Sequence, residues 1–404
     1  MQPKNDLLIV KQHKSKQMTR NKFEIFISAG GTGGHIIPAR CLALELSQKY
    51  QILFLGDEKY QSYIKPEDRF SSLIISSSQL ERKRLKLIKA ALKIGCGILH
   101  SLLLLALHRP RYVVTFGGYA TFPILAAAYF TKTKIILHEQ NAHLGKVNRI
   151  FAKRADKIAL SFSKTSGIET LSQSKTFFVG NPIRQEIIEL NQIPYSLPRE
   201  EKVTLPADKR MGYNIILASD FQEDEPQTKE LFNILIIGGS GGAKIFSEIL
   251  PKVFFNLSDD LKSRISVTQQ CRKELTESTF SQYRSFNLNI EVQSFFTDMP
   301  EKIRQSHLVI ARSGSSSIFE FCAAKKPMIL VPFEKSADNH QEKNARFLEK
   351  YGAALVISEK EFTISNIGKT LQNLINSYET LEKMSHSAAS LAVIDATKNL
   401  ANLI

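Results

Sequence analysis

The sequence predicts an α/β protein of two similar domains, each a parallel sheet covered by helices, with a cleft between them. Short strand-like runs alternate with helical stretches along nearly the whole chain, the pattern of parallel sheets. A glycine-rich junction between strand and helix, Gly30-Gly31-Thr32-Gly33-Gly34-His35, returns in the second half as Gly238-Gly239-Ser240-Gly241-Gly242-Ala243-Lys244. The 404 residues, 43% of them hydrophobic, are enough to bury two ordinary cores.

Residues 1–21 are expected to be a disordered basic tail, carrying Lys4, Lys11, Lys14, Lys16 and Arg20; their one apolar patch, 7–10, is too short for a signal-peptide core. The first domain is expected over 22–184. Its first strand is the aromatic and β-branched run 23–28, followed by the first glycine junction and, from Pro38, a helix with apolar Ala39, Leu42, Ala43 and Leu46. Further strands are expected at 52–55, 112–116, 134–137, 157–160 and 176–179. Between the second and third lies an amphipathic helix over 82–107. Arg82, Lys86, Lys89 and Lys93 fall on one stripe of it, and Leu85, Ile88, Leu92 and Leu99 line the adjoining face. The stretch after Lys93 reads as too short and polar to span a bilayer, so an interfacial helix facing anionic lipid is expected. Residues 185–230, with Pro194, Pro198, Pro206 and Pro226 and the acidic run 220–225, read as an inter-domain connection with a small insertion near 214–218. The second domain, 231–404, repeats the alternation with strands at 233–237, 265–269, 289–295, 308–311, 328–331 and 354–357.

Bare backbone N–H groups at a glycine-rich helix N-terminus attract anions, so each junction is a candidate phosphate or pyrophosphate site. The dinucleotide fingerprint does not fit, because Ile36 stands where its third glycine belongs, although Asp57 lies where a ribose-binding acid would. A Walker A loop fails as well, since Lys244 is followed by Ile245. The net charge of +15 points to an anionic partner, whether nucleic acid, membrane surface or phosphorylated substrate. Cys41, Cys96, Cys271 and Cys322 are too scattered for a zinc site and read as reduced thiols. No D-x-D pair occurs, and no metal site is implied.

In a doubly wound sheet, ligands bind beyond the carboxyl ends of the strands, and the unusual residues collect there. After the first junction come Gly117-Gly118-Tyr119, His138-Glu139-Gln140-Asn141-Ala142, Gly180-Asn181-Pro182-Ile183-Arg184, Gly238-Gly239-Ser240, Arg312-Ser313-Gly314 and Gln341-Glu342-Lys343-Asn344-Ala345. In this order and spacing, from Lys22 to the C-terminus, the chain resembles the MurG family. Its members are peripheral membrane glycosyltransferases that move N-acetylglucosamine from UDP onto lipid I. The resemblance implies a GT-B fold of two Rossmann-like domains with the donor bound mainly to the second, and a last helix packing back on the first. It implies donor contacts at Thr32, Gly33, Gly34, Asn141, Arg184, Ser240, Phe296, Ser315, Ser316, Ser317, Ile318, Phe319, Glu320 and Gln341. It also implies the undecaprenyl-linked muramyl pentapeptide as acceptor, anionic lipid at the cytoplasmic face of the bacterial inner membrane as a further partner, and neither cofactor nor nucleic acid. Gly241, Phe122 and Ile37 depart from the family pattern, and the 185–230 connection is longer than usual.

These residue types suit inverting transfer. Glu320 offers a carboxylate to ribose hydroxyls, Arg184 a fixed cation to the departing UDP, and His35 a base or an orienting group for the acceptor hydroxyl, with Glu139 the second candidate. Two alternatives stand beside this reading. One is another GT-B nucleotide-sugar enzyme, such as a diacylglycerol glycosyltransferase or a UDP-N-acetylglucosamine 2-epimerase. The other is a non-catalytic membrane adaptor.

Overall fold

The computed structural model describes residues 22–78, 84–198, 230–239, 241–284 and 288–404, with the main chain alone for 84–87. The tail 1–21, the insertion near 214–218, Arg82, the Lys86 side chain and Ser240 lie outside the described residues.

The N-terminal half runs β1 (Ile25–Ser28), α1 (Gly33–Leu46), β2 (Ile52–Gly56), β3 (Ser71–Ile74), α2 (Arg84–His108), β4 (Tyr112–Thr115), α3 (Phe122–Thr131), β5 (Lys134–Glu139), α4 (Lys146–Phe151), β6 (Lys157–Leu160), β7 (Thr176–Phe178) and α5 (Gln185–Leu190). Its strands form a seven-stranded sheet in the order β3-β2-β1-β4-β5-β6-β7, with every pairing parallel. The C-terminal half runs β8 (Phe232–Ile237), α6 (Lys244–Phe255), α7 (Asp259–Arg264), β9 (Ile265–Gln270), α8 (Thr276–Arg284), β10 (Asn289–Gln293), α9 (Met299–Gln305), β11 (Leu308–Ala311), α10 (Ser315–Ala323), β12 (Met328–Leu330), α11 (His340–Lys350), β13 (Ala354–Val356), α12 (Ile364–Ile375), α13 (Tyr378–Leu391) and α14 (Ala396–Ala401). Its sheet is parallel too, in the order β10-β9-β8-β11-β12-β13.

Strands β1, β2 and β11 are buried at every residue, which is why they read as unbroken apolar runs rather than alternations. Period two still divides the layers: Ile25, Ile27 and Phe54 join one core with Leu42 of α1, while Phe26, Leu53 and Val113 join the other with Leu104 of α2. The chain's last helix, α14, packs on α1, and Asn399 Nδ2 donates to Val179 O at 3.3 Å.

Two expectations need correction. The first helix starts at Gly33, ahead of Pro38, and carries that proline inside it. The helix after β3 is 25 residues long, and Ile88–His108 has a mean hydropathy of 1.9, long and apolar enough by composition to cross a membrane. What holds it to the domain is packing and topology, not shortness. It joins two parallel strands of one sheet, buries Leu104, Leu105 and His108, and presses Gly97 on the Ser76 carbonyl so closely that a Cβ would lie 2.0 Å from that oxygen. Its outer face remains open: Ile88, Leu92, Leu99, Leu103 and Leu107 are each at least 60% exposed, with the exposed Lys89 and Lys93 beside them.

Candidate functional site

Each sheet reverses strand order once, between β1 and β4 and between β8 and β11, and the loops leaving those strands diverge to open a crevice at the carboxyl ends. The two crevices meet. Phe162, just past β6, packs on Phe319 and Phe347 at 4.8 and 4.9 Å, and Asn344 of α11 donates to Asn141 Oδ1 at 3.1 Å while accepting from the Ala142 N–H at 2.9 Å. Ser316 Oγ donates across the junction to Gly34 O at 3.0 Å. That carbonyl is available because Pro38, four residues on, has no N–H to take it up.

On the N-terminal side, Asp57 ties two loops together: its Oδ2 accepts from Gly31 N–H at 3.1 Å and from the Tyr119 hydroxyl at 2.6 Å. It therefore serves the glycine loop rather than a ribose. Glu139 is buried and fully engaged. One oxygen accepts from the Asn141 N–H and Nδ2, the other from the Gly145 N–H and Asn148 Nδ2, all between 2.8 and 3.1 Å. Four donors make it a brace for the loop and argue against the role of base. His35, half-buried, instead meets Gln140: Nδ1 lies 2.9 Å from Oε1. Gln140 Nε2 in turn lies 2.8 Å from His138 Nδ1 and 3.1 Å from His138 O, and His138 Nε2 lies 3.2 Å from Gly180 O. His138 is wholly buried, and burial lowers its pKa to about 4 despite the Gly180 contact. His340 on α11 is also lowered, mainly by burial, and lies near enough to sense the charge of His35.

Two glycines are required here. Gly118 has φ +79°, and a Cβ on it would sit 3.0 Å from Gly30 O and 3.2 Å from His35 Cδ2. Gly180 has φ +84°, and a Cβ would fall 2.5 Å from that of Val393.

On the C-terminal side, the first turn of α10 presents the main-chain N–H groups of Ser315, Ser316 and Ser317, ahead of the first intrahelical bond from Ile318 N to Gly314 O. Ile318 and Phe319 turn their side chains into the core, so any ligand contact of theirs is through main chain. Gln341 Oε1 accepts from the Phe333 N–H at 3.0 Å, and Phe296 is buried with Lys302 Nζ 5.8 Å from its ring centre. Arg312 is buried, lies between the rings of Phe246 and Phe333 and pairs with Glu359, contacts that no sequence motif announces.

Arg184 and Glu320 meet across the junction: Nε and Nη2 donate to the two carboxylate oxygens, each at 2.7 Å. Burial opposes the guanidinium charge, and Glu320 more than offsets it, holding the Arg184 pKa above its ordinary value. Thus Gly34, His35, Asn141, Arg184, Ser316, Glu320 and Gln341 lie along the inter-domain junction, with Thr32 exposed at the start of α1 beside Gly33. Lys89 and Lys93 lie apart from them on α2. Sequence reasoning missed Gln140 and His138 as working parts, although both stand in a quoted motif.

Residues 25–160 match the glycosyltransferase family 28 N-terminal domain and 233–400 the C-terminal domain of the same family. The chain is 32% identical over 388 residues to a UDP-N-acetylglucosamine--N-acetylmuramyl-(pentapeptide) pyrophosphoryl-undecaprenol N-acetylglucosamine transferase of Novosphingobium aromaticivorans, covering 96% of this chain and 93% of the relative. Among solved structures it is similar to MurG of Acinetobacter baumannii, with a TM-score of 0.69 and 24% identity over 94% of this chain and 99% of that one. It is similar in fold also to a UDP-GlcNAc 2-epimerase from Neisseria meningitidis, with a TM-score of 0.62 and 14% identity over 94% and 98% of the two chains.

Proposed function

The chain belongs to glycosyltransferase family 28, and from that premise we propose that it transfers N-acetylglucosamine from UDP-N-acetylglucosamine to the C4 hydroxyl of the muramyl sugar of lipid I, with inversion, forming lipid II for peptidoglycan. The observation that carries this reading is the end-to-end match to the Novosphingobium transferase, which leaves no large part of either chain unaccounted for. A 2-epimerase shares the fold at 14% identity, which supports nothing beyond fold.

The site supplies what the reaction needs. The acceptor hydroxyl loses its proton as it attacks the anomeric carbon, and the bond to UDP breaks with its electron pair going to the diphosphate. His35 is placed to take the proton, because it ends the first glycine loop and no described hydrogen bond occupies its Nε2. Arg184 and the free N–H groups of α10 are placed to meet the charge that develops on UDP. A metal chelated by a D-x-D pair has no counterpart in the sequence, and among the described residues no three His, Cys, Asp or Glu side chains cluster as a metal site.

The enzyme acts as a peripheral protein on the cytoplasmic face of the inner membrane, with α2 as its contact. Its exposed leucines would enter the interface shallowly, and Lys89 and Lys93 would meet anionic headgroups.

Transfer of radiolabelled N-acetylglucosamine to a lipid I analogue tests the reading, and product appearing with lipid I but not with diacylglycerol is the expected result. Turnover should persist in excess EDTA. Full loss of turnover, restored by magnesium or manganese, would overturn the metal-independent account.

A further inference from the structure

The hydrogen bonds behind His35 run in one direction only. Gly180 O can only accept, and the Ser161 hydroxyl, 3.4 Å from the same nitrogen, donates to Asn181 Oδ1, so His138 Nε2 carries the proton and His138 Nδ1 is left as an acceptor. Burial keeps that ring neutral, so the assignment does not change at working pH. Gln140 Nε2 lies within reach of two acceptors, His138 Nδ1 and His138 O, and flipping the amide would set its oxygen against both. The amide is thereby pinned with Oε1 toward His35. An amide oxygen can only accept, so His35 Nδ1 carries a proton and Nε2 keeps its lone pair. A Cβ on Gly118 would lie 3.5 Å from Nε2, so the glycine keeps a side chain away from that nitrogen.

The geometry points to Gln140, backed by His138 and the Gly180 carbonyl, as a positioning residue that holds His35 in the Nδ1–H tautomer and so presents Nε2 as the proton acceptor. Its use in catalysis rests on the transferase reading above; the tautomer itself does not. In the transfer step the proton of the attacking hydroxyl moves to Nε2 as the new glycosidic bond forms and the bond to UDP breaks. The resulting imidazolium keeps its Nδ1–H on Gln140 Oε1. A free histidine side chain favours the opposite tautomer, with Nε2 protonated and unable to accept. Being neutral, the amide selects a tautomer without adding a charge beside the ring, unlike the aspartate of a serine-protease triad. The other imidazole near His35, that of His340, has its Nδ1 engaged by Ala337 O at 2.7 Å.

The test is a long-range 1H–15N spectrum of the full chain labelled at histidine, recorded where the rings are neutral, with His35 assigned by loss of its signals in His35→Phe. The wild-type His35 is expected as the Nδ1–H form. Gln140→Met, close in shape but with no amide, should shift it toward Nε2–H and lower kcat at least tenfold, with donor KM within about twofold. A wild-type His35 protonated at Nε2 would overturn the inference. So would Gln140→Met with unchanged tautomer and kcat. Failure of the wild-type chain to use lipid I, with the Nδ1–H form still observed, would instead remove the transferase reading and leave the relay standing.

Discussion

Arg184 and Glu320 hold one another through two parallel 2.7 Å bonds, so neither can be changed without altering the other. Glu320→Ala removes the expected acceptor for the ribose hydroxyls and releases the guanidinium from its fixed orientation. A charge-assisted bond is worth ~1.5–3 kcal/mol, so donor KM should rise at least tenfold. Unchanged KM in steady-state kinetics would show that Glu320 does not serve the donor. His35→Ala should do the reverse, lowering kcat far more than it raises donor KM, because its Nε2 is placed for the attacking hydroxyl. Equal loss in both constants would make His35 a donor contact. Arg184 was legible in the sequence as a member of a motif at a strand end, and Glu320 as a carboxylate that the family resemblance implied. Their engagement with each other was not, because Arg184 and Glu320 are 136 positions apart and meet only when two domains dock. Gln140 was overlooked for a chemical reason: an amide does not titrate, and its value lies in which way it faces. Glu139 drew attention as a carboxylate, yet its four donors are two main-chain and two asparagine N–H groups that no residue pattern announces.

Among the elements, the strands were the most legible, because those buried on both faces, such as β1 and β11, read as apolar runs; β6 and β11 lie at the expected positions and the other expected strands differ by a residue or two at their ends. The edge strand β3 was missed, since its sequence Ser-Ser-Leu-Ile carries little apolar signal and none of its residues is buried. The start of α1 was missed because Pro38 reads as a helix opening. A proline at the sixth residue frees the carbonyl of Gly34, and here Ser316 of the other domain takes it. Helix α2 carries the prediction at this scale. Each Lys or Arg near an anionic surface contributes ~1 kcal/mol, and the leucine face adds shallow insertion. Changing Arg82, Lys86, Lys89 and Lys93 together to Gln should reduce sedimentation with phosphatidylglycerol vesicles and leave UDP binding intact. Leu99→Ser with Leu103→Ser should do the same in high salt, where charge is screened and the apolar face dominates. Vesicle binding unaltered by both sets would place the membrane contact elsewhere, with the basic tail before Lys22 the next segment to test.

The whole molecule depends on histidines that must stay neutral. His138 lies where the loops of the N-terminal sheet reach the junction, and His307 lies beneath the C-terminal sheet, where its Nδ1 accepts from the Asn233 N–H at 2.8 Å. Burial lowers both to about 4 from an ordinary 6.5, and Lys326 adds to the effect at His307. The sign follows from proton binding. The unfolded chain takes up these protons as pH falls through 6.5, the folded chain only near 4, so stability is intact above 6.5 and is lost on acidification across that window. For the fully buried His138 the loss approaches ~3 kcal/mol at 1.36 kcal/mol per pKa unit, a large share of the stability of a typical domain. The carboxylates held low by their partners, among them Glu301 with Arg304, contribute in the same direction but below their ordinary range, so the upper part of the acid window belongs to the histidines. Urea unfolding monitored from pH 7.5 to 4.5 should show a falling midpoint from about pH 6.5 downward. Because one such histidine serves each sheet, both halves should weaken together, and His307→Phe should flatten the slope without abolishing it. A midpoint that stays constant between pH 7 and 5 would mean that these rings are protonated in the folded chain, and the Gln140 relay behind His35 would lose its anchor with them.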